Sequence, residues 1–439
     1  MTKPLVAIVG KPNVGKSTFF NKVCGGRISI VSDMPGVTRD RIYADAEWMG
    51  RKFTLVDTGG IQFKSDDIMF RHIRQQAEIA VDLADVILFF TDLKTGITRE
   101  DYDVLDLLRK TNKPVLLVVN KVDNYLEADL TEFYSLGLGD FFPIAAEQKQ
   151  GFGDLLEAVV ANFPEEDYED DSDAIKIAVV GKPNAGKSSL VNRILGYDRT
   201  IVSDIAGTTR DAIDTPFTYN GKKYIVIDTA GMRRKRAIEE ESVEQYSVIR
   251  SLNAVRRADV CLIVMDANEG LSEQDVKIAG FIHEEGKPSV VVINKWDLVE
   301  KDTYTVEKFK KQLNADLAFM DYFKYITLSA ITGQRVNKLM EMVDYVYEKS
   351  NFRATTGLLN DVVTDAVRAV EPPSIKGRRA KIKYATQPST QPPTFVFFVS
   401  DAKLLHFSYR RYLENCIRRS FQLDGTPIRL VFRDDSDKD

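Results

Sequence analysis

Apolar residues in this chain come in short unbroken runs set apart by helix-length stretches. Leu5 to Val9, Phe53 to Val56, Val86 to Thr91 and Val115 to Asn120 are strand-length runs with little alternation. A continuous apolar strand, unlike an alternating one, is buried on both faces, as in a parallel sheet covered by helices. The pattern therefore predicts an α/β fold: strand, Gly-rich turn, helix, then further strands alternating with helices. Near the C-terminus the pattern changes. The segment from Gln387 to Pro393 holds three prolines and predicts an extended loop before a strand from Phe395 to Val399. The stretch from Ala402 to Ser420 has helical spacing, with Leu405, Tyr409, Tyr412, Leu413, Cys416 and Ile417 on one arc and Arg410, Arg411, Arg418 and Arg419 on the other. The apolar arc is expected to be core and the basic arc to face outward.

The chain repeats itself. The segment from Val9 to Ser17 returns from Val180 to Ser188, and Gly36 to Asp40 returns as Gly207 to Asp211, both at an offset of 171. Asp57 to Gly60 matches Asp228 to Gly231 at that offset, whereas Asn120 to Asp123 matches Asn294 to Asp297 at 174. Three residues are thus inserted between Gly231 and Ala258, a stretch containing the run Arg233 to Arg236 that the first copy lacks. A repeat of this length is a duplicated domain.

At 439 residues the chain is longer than one hydrophobic core usually serves, and 44% hydrophobic with 28% charged residues is the balance of a folded globular protein. No apolar run approaches the ~20 residues of a spanning helix, and the start of the chain lacks a secretory signal core, so a cytoplasmic protein without a membrane-spanning segment is expected. The three cysteines and three histidines are scattered, which indicates neither a disulfide framework nor a zinc site. Charge is segregated. Between the copies, residues 164 to 173 hold seven acids and no base, the composition of an extended linker. Residues 353 to 433 hold 14 Lys or Arg against 6 Asp or Glu, a balance of +8 in a chain of net charge -5. Such a balance favours a phosphate-backbone partner over a merely solvated face.

The repeated segments carry phosphate chemistry. Gly10, Lys11, Pro12, Asn13, Val14, Gly15, Lys16 and Ser17 form a phosphate loop between a strand and a helix, and Gly181, Lys182, Pro183, Asn184, Ala185, Gly186, Lys187 and Ser188 form a second. Backbone N–H groups and a helix N-terminus converge on an anion there; Lys16 and Lys187 would reach the β- and γ-phosphates, while Ser17 and Ser188 would ligate Mg²⁺. Asp57, Thr58, Gly59, Gly60 and Ile61, and likewise Asp228, Thr229, Ala230, Gly231 and Met232, follow a strand at the loop mouth. There each Asp can hold the metal and each Gly can approach the γ-phosphate. Thr38 and Thr209, in polar loops, would complete the Mg²⁺ shell when that phosphate is present. Asn120, Lys121, Val122 and Asp123, with Asn294, Lys295, Trp296 and Asp297, end apolar strands where such sheets bind ligands. A carboxylate there accepts from guanine N1–H and its exocyclic amine together but opposes the acceptor at adenine N1, so GTP is expected over ATP by a factor that can reach ~10⁴.

These residues resemble the bacterial Der family, also called EngA, tandem GTPases that act in large-subunit ribosome biogenesis. The resemblance runs from residue 4 to 433 and includes Pro393 to Phe395, His406 to Tyr409 and Gly425 to Pro427. It implies two tandem P-loop GTPase domains, 1–163 and 174–350, joined by the acidic linker 164–173, and a KH-like α+β domain with an acidic tail at 351–439. It implies GTP and GDP as ligands, and the large ribosomal subunit with its rRNA as partner; a monomer is expected. A Gly-x-x-Gly loop of the kind KH domains use is missing, the nearest segment being Lys376 to Arg379. The base-supporting loop reads Ser329-Ala330 in the second copy but Ala145-Ala146 in the first. Loss of that hydroxyl is expected to weaken loop support without abolishing binding.

Where Ras-like proteins place a water-orienting glutamine, this chain has Ile61 and Met232, neither of which can hold a water, so intrinsic turnover should be slow. In GTPases resembling this one, a phosphate-loop Asn helps bind K⁺ in place of an arginine finger; Asn13 and Asn184 occupy that position, and K⁺-stimulated hydrolysis is expected. Two functions compete: a GTP-hydrolysing assembly factor for the large subunit whose nucleotide state gates RNA contact, and a constitutive RNA-binding scaffold with structural nucleotide sites. A small-molecule phosphotransferase is disfavoured because no second substrate constellation is visible.

Overall fold

The computed structural model describes residues 4–24, 43–57, 77–78, 81, 84–124, 128–164, 174–196, 200–202, 214–229, 250–300, 302, 304–375 and 378–434. Contacts divide the chain into two compact units, Met1–Asp170 and Asp171–Asp439.

In the first unit β1 (Leu5–Val9), α1 (Lys16–Cys24), β2 (Tyr43–Trp48), β3 (Arg51–Asp57), β4 (Val86–Asp92), α2 (Arg99–Leu108), β5 (Val115–Asn120), β6 (Phe141–Pro143) and α3 (Phe152–Ala161) follow in order. The strands form one sheet, β2-β3-β1-β4-β5-β6, parallel except for the β2 and β3 pair. Every residue of β1 and β4 is buried, as their unbroken apolar runs require. One face packs Phe19, Phe90 and Phe152 together, while the other packs Ile87, Phe89 and Leu117 against Leu105 and Phe133. Burying each such aromatic contributes roughly 1.5–3 kcal/mol.

The second unit repeats this plan. β7 (Ile175–Val180), α4 (Lys187–Leu195), β8 (Thr200–Val202), β9 (Thr215–Tyr219), β10 (Lys222–Val226), β11 (Val260–Asp266), α5 (Glu273–Glu284), β12 (Ser289–Asn294), α6 (Thr305–Asp316), β13 (Lys324–Thr327) and α7 (Val336–Ser350) build a sheet ordered β13-β12-β11-β7-β10-β9-β8. After α7 come α8 (Thr356–Ala369), the short pair β14 (Ser374–Ile375) and β15 (Arg378–Arg379), β16 (Ile382–Ser389), β17 (Thr394–Val399), α9 (Phe407–Phe421) and β18 (Arg429–Asp434). β16 is antiparallel and β18 parallel to β17. Helices α8 and α9 cover one side of this sheet, with Leu359, Val363, Phe395, Phe397, Tyr409, Leu413 and Ile417 at the core. The fold is thus mixed α/β: two mostly parallel nucleotide-type sheets, and an α+β region at the C-terminus.

Three expectations change. The loop expected from Gln387 begins only at Thr390, because β16 runs on through Ser389. The helix begins at Phe407, not Ala402, because Ala402–Leu404 form a 3-10 turn and the His406 ring accepts the N–H of Ser408 at the helix start. The basic arc is also divided. Arg410 donates to the carbonyls of Leu405 and Ala402 and lies 4.9 Å over the Phe432 ring. Arg418, with a side chain 10% exposed, donates to the carbonyls of Leu423 and Thr426. Its guanidinium lies 4.4 Å over the ring of Tyr322, beyond the β13 edge. These two arginines hold structure together, and only Arg411 and Arg419 keep an outward reading.

The loop that Arg418 holds docks on the second sheet. Ser289 N–H donates to Gly425 O at 3.2 Å and Gly425 N–H to Tyr322 O at 2.6 Å. Asp424 accepts from Tyr345 Oη at 2.6 Å and pairs with Lys324. Gly425 sits at φ +79°, and a Cβ there would lie 2.5 Å from Val346 Cγ1, so both conformation and space call for glycine. No helix among the described residues is long and apolar enough to cross a membrane.

Candidate functional site

Each phosphate loop turns back between two strands because glycine permits it. Gly10 (φ +149°) would place a Cβ 2.3 Å from Phe90 O, and Gly181 (φ +133°) 2.2 Å from Val264 O. Asn13 and Asn184 both stand at φ +64°, a left-handed conformation Asn tolerates better than most residues. Inside the first loop, Lys16 Nζ donates to the carbonyls of Gly10 (2.5 Å) and Lys11 (2.7 Å). Lys187 does the same with Gly181 and with Lys182 (2.6 Å). Burial brings Lys16 down from 10.5 to about 8, against the opposing pull of the Asp57 charge. A desolvated ammonium ringed by carbonyls is prepared for a phosphate anion.

Ser17 Oγ donates to Asp57 Oδ2 at 2.6 Å, which brings together two of the oxygens expected to serve Mg²⁺. A hydroxyl and a carboxylate are the hard oxygen donors that ion takes. In the second copy Asp228 lies just past β10 at φ +58°, its N–H bonded to Asp214 Oδ1 at 3.0 Å, and the hydroxyls of Thr229 and Thr215 meet at 2.7 Å. Thr38, Thr58, Gly59, Gly60, Ile61, Thr209, Ala230, Gly231 and Met232 lie outside the described residues, as does the run Arg233 to Arg236.

The base loop is joined to the phosphate loop. Asn120 Nδ2 donates to Val14 O at 2.7 Å, and its Oδ1 accepts Ala146 N–H at 3.0 Å. Asn294 repeats both bonds, to Ala185 O at 2.9 Å and from Ala330 N–H at 3.0 Å. Val122 and Trp296 turn into the core, Trp296 against Phe309. In the second loop the Ser329 hydroxyl accepts Thr332 N–H at 3.2 Å; Ala145 has no such acceptor, and Gln148 N–H bonds its backbone carbonyl instead.

Motif spacing missed five neighbours. Asp92 pairs with Lys121, and Asp266 with Lys295, both at 2.6 Å. Burial would push Asp266 up, yet the bonds from Lys295 and the Asn268 amide hold it below the usual carboxylate range. Asp101 and Asp275, both fully buried at helix starts, grip the phosphate loops from behind. Asp101 Oδ2 lies 3.0 Å from Lys11 Nζ, and Asp275 Oδ1 accepts Lys182 N–H at 2.8 Å. Lys94 stands 2.8 Å from Asp123. Both acid pairs recur at the 174 offset, which was the signal available in the sequence.

Residues 5–121 and 176–295 match the family described as 50S ribosome-binding GTPase, and residues 353–433 the KH-domain-like family of EngA bacterial GTPase enzymes. The chain is 54% identical to GTPase Der of Lachnospira eligens over 442 residues, spanning 100% of both chains. The chain belongs to the Der family of GTPases. Another Der relative, from Acetivibrio thermocellus, is 55% identical across 99% of each chain. A solved structure of Era with MgGDPNP and a piece of 16S ribosomal RNA is 22% identical, covers 60% of this chain and 93% of that one, and has a TM-score of 0.31. Membership in the Der family makes both repeated sheets P-loop GTPase domains and the C-terminal region KH-like.

Proposed function

We propose that the chain binds GTP at both repeated sites, hydrolyses it to GDP and phosphate, and serves as an assembly factor for the large ribosomal subunit. The observation that carries this reading is the doubled bond from Asn120 to Val14 and from Asn294 to Ala185, which makes base recognition and phosphate binding one rigid unit in each copy. Lys16 and Lys187 offset phosphate charge, and Asp123 and Asp297 select guanine. Mg²⁺, held by Ser17, Thr38 and Asp57 in one domain and by Ser188, Thr209 and Asp228 in the other, would neutralise charge developing on the phosphates. Asn13 and Asn184, exposed on left-handed turns, face solvent where K⁺ could approach. The GTPase domains span 1–163 and 174–350, the linker 164–173 and the KH-like region 351–439. The protein acts in the cytoplasm as a monomer.

Nucleotide state in the two domains gates the KH-like region's access to rRNA. Support comes from the family's description as ribosome-binding and from the basic balance of residues 353 to 433. Co-sedimentation with large subunits under GTP, GDP and a non-hydrolysable analogue tests it, with Lys16→Ala and Lys187→Ala as controls. Association that tracks the nucleotide and is lost in both variants is expected. Association unchanged in variants that fold and bind no GTP would establish a constitutive scaffold instead.

A further inference from the structure

The geometry points to Lys94 as a residue that sets guanine affinity differently in the two domains; this rests on the reading that Asp123 and Asp297 receive the base. Lys94 Nζ lies 2.8 Å from Asp123 Oδ2. A guanine presenting N1–H and its amine to that carboxylate must share or displace the ammonium.

The second domain is built alike at this turn except for the side chain. Lys94 N–H bonds Asp92 Oδ1 at 2.9 Å, and Asn268, its counterpart at the 174 offset, bonds Asp266 Oδ1 at 2.9 Å. The carboxylates so engaged carry the same partners on their other oxygens, Lys121 and Lys295. The turn is therefore common to both copies, while a cation stands beside the base-reading carboxylate in the first and a neutral amide at that position in the second. Lys94 and Asp123 side chains are 63% and 49% exposed, so the ion pair is hydrated and its weight is that of a surface pair. Lys94 acts as a latch on the first base pocket: the pair closes the pocket, and guanine opens it by competing for Oδ2.

A reciprocal exchange in the full-length chain tests this. Lys94→Asn is made with the second site silenced by Lys187→Ala, and Asn268→Lys with the first silenced by Lys16→Ala; each is titrated with a fluorescent GDP at low and high NaCl. Lys94→Asn should tighten the first site, and Asn268→Lys weaken the second, by roughly two- to fivefold at low salt, with both effects shrinking as salt screens the pair. Lys94→Ala should act as Lys94→Asn does. Tight guanine binding left unchanged by every exchange would overturn the latch while leaving the guanine reading intact. Weaker binding in Lys94→Asn would also overturn it, by showing that the ammonium supports the base. No preference for GDP over ADP in either silenced parent would sink the underlying reading itself.

Discussion

Asn120 reaches across the first site to donate a 2.7 Å hydrogen bond to the carbonyl of Val14, joining the loop proposed to read the base to the loop proposed to hold the phosphates. The bond depends on Gly15, whose missing side chain leaves room for the amide: a Cβ there would lie 2.1 Å from Asn120 Nδ2. Gly186 stands in the same relation to Asn294, at 2.2 Å.

Gly15→Ala should therefore abolish the first site and spare the second, with Gly186→Ala doing the reverse. Each substitution also forces alanine to a φ of +92° or +93°, a strain of about 1–2 kcal/mol beyond the clash. Titration with a fluorescent GDP should fall from two sites per chain to one. Two sites of parental affinity in Gly15→Ala would contradict the account.

Lys16 gives the first site a pH dependence. Its ammonium is held at about 8, below its ordinary 10.5, chiefly by burial. Between those values the unfolded chain binds more protons than the folded one, so this group makes folding more favourable as pH rises from 8 towards 10.5. Nucleotide binding runs the other way. With Lys16 meeting phosphate as proposed, the phosphate restores the charge, and above pH 8 the proton must be taken up on binding. With the second site silenced by Lys187→Ala, affinity at pH 9 should be roughly eightfold below that at pH 7.5. A flat profile over that range would remove the charged-lysine role.

Much of this was legible in the residues. The apolar runs marked the strands because a parallel strand buried on both faces leaves no alternation to mislead, and the repeated glycines marked the two loops because they answer to contacts that recur. Arg410 and Arg418 were not legible. A helical wheel assigns each position to core or to solvent, whereas Arg418 lies under a loop more than a turn away and against Tyr322 in the turn before β13. Lys94 was hidden for a related reason: it belongs to no motif, and only the fold carries it to Asp123.

His283 should make the second unit acid-sensitive. Its Nδ1 lies 2.8 Å from Tyr322 Oη. Burial, then the nearby charges of Arg418 and Arg429, hold its pKa below 6.5, with Asp321 opposing. The unfolded chain takes up this proton near pH 6.5 while the folded one resists, so stability is lost as pH falls below that value, by at most about 1.4 kcal/mol per unit. His283→Gln should be less stable than the parent at pH 7.5, and the gap should narrow by pH 5.5. Parallel melting-temperature curves for the two proteins would refute this.

Arg411 and Arg418 lie on one helix and look equivalent in sequence, yet they should differ sharply when removed. Arg411 stands 3.9 Å from Asp321 with both side chains more than half exposed, so Arg411→Ala should cost less than about 0.5 kcal/mol. Arg418 donates to Leu423 O at 2.9 Å and Thr426 O at 2.8 Å and bonds Glu414 from Nε at 3.0 Å. Removing it leaves these acceptors short of donors and frees the loop through which Gly425 bonds Ser289 and Tyr322. Arg418→Ala should cost about 2–4 kcal/mol in urea unfolding. Because Gly425 sits in that loop, the KH-like region should also become a separate, earlier transition, read as a second step by tyrosine fluorescence. An Arg418→Ala chain that unfolds in one step at the parental midpoint would show that the loop holds its place on the second sheet without the arginine.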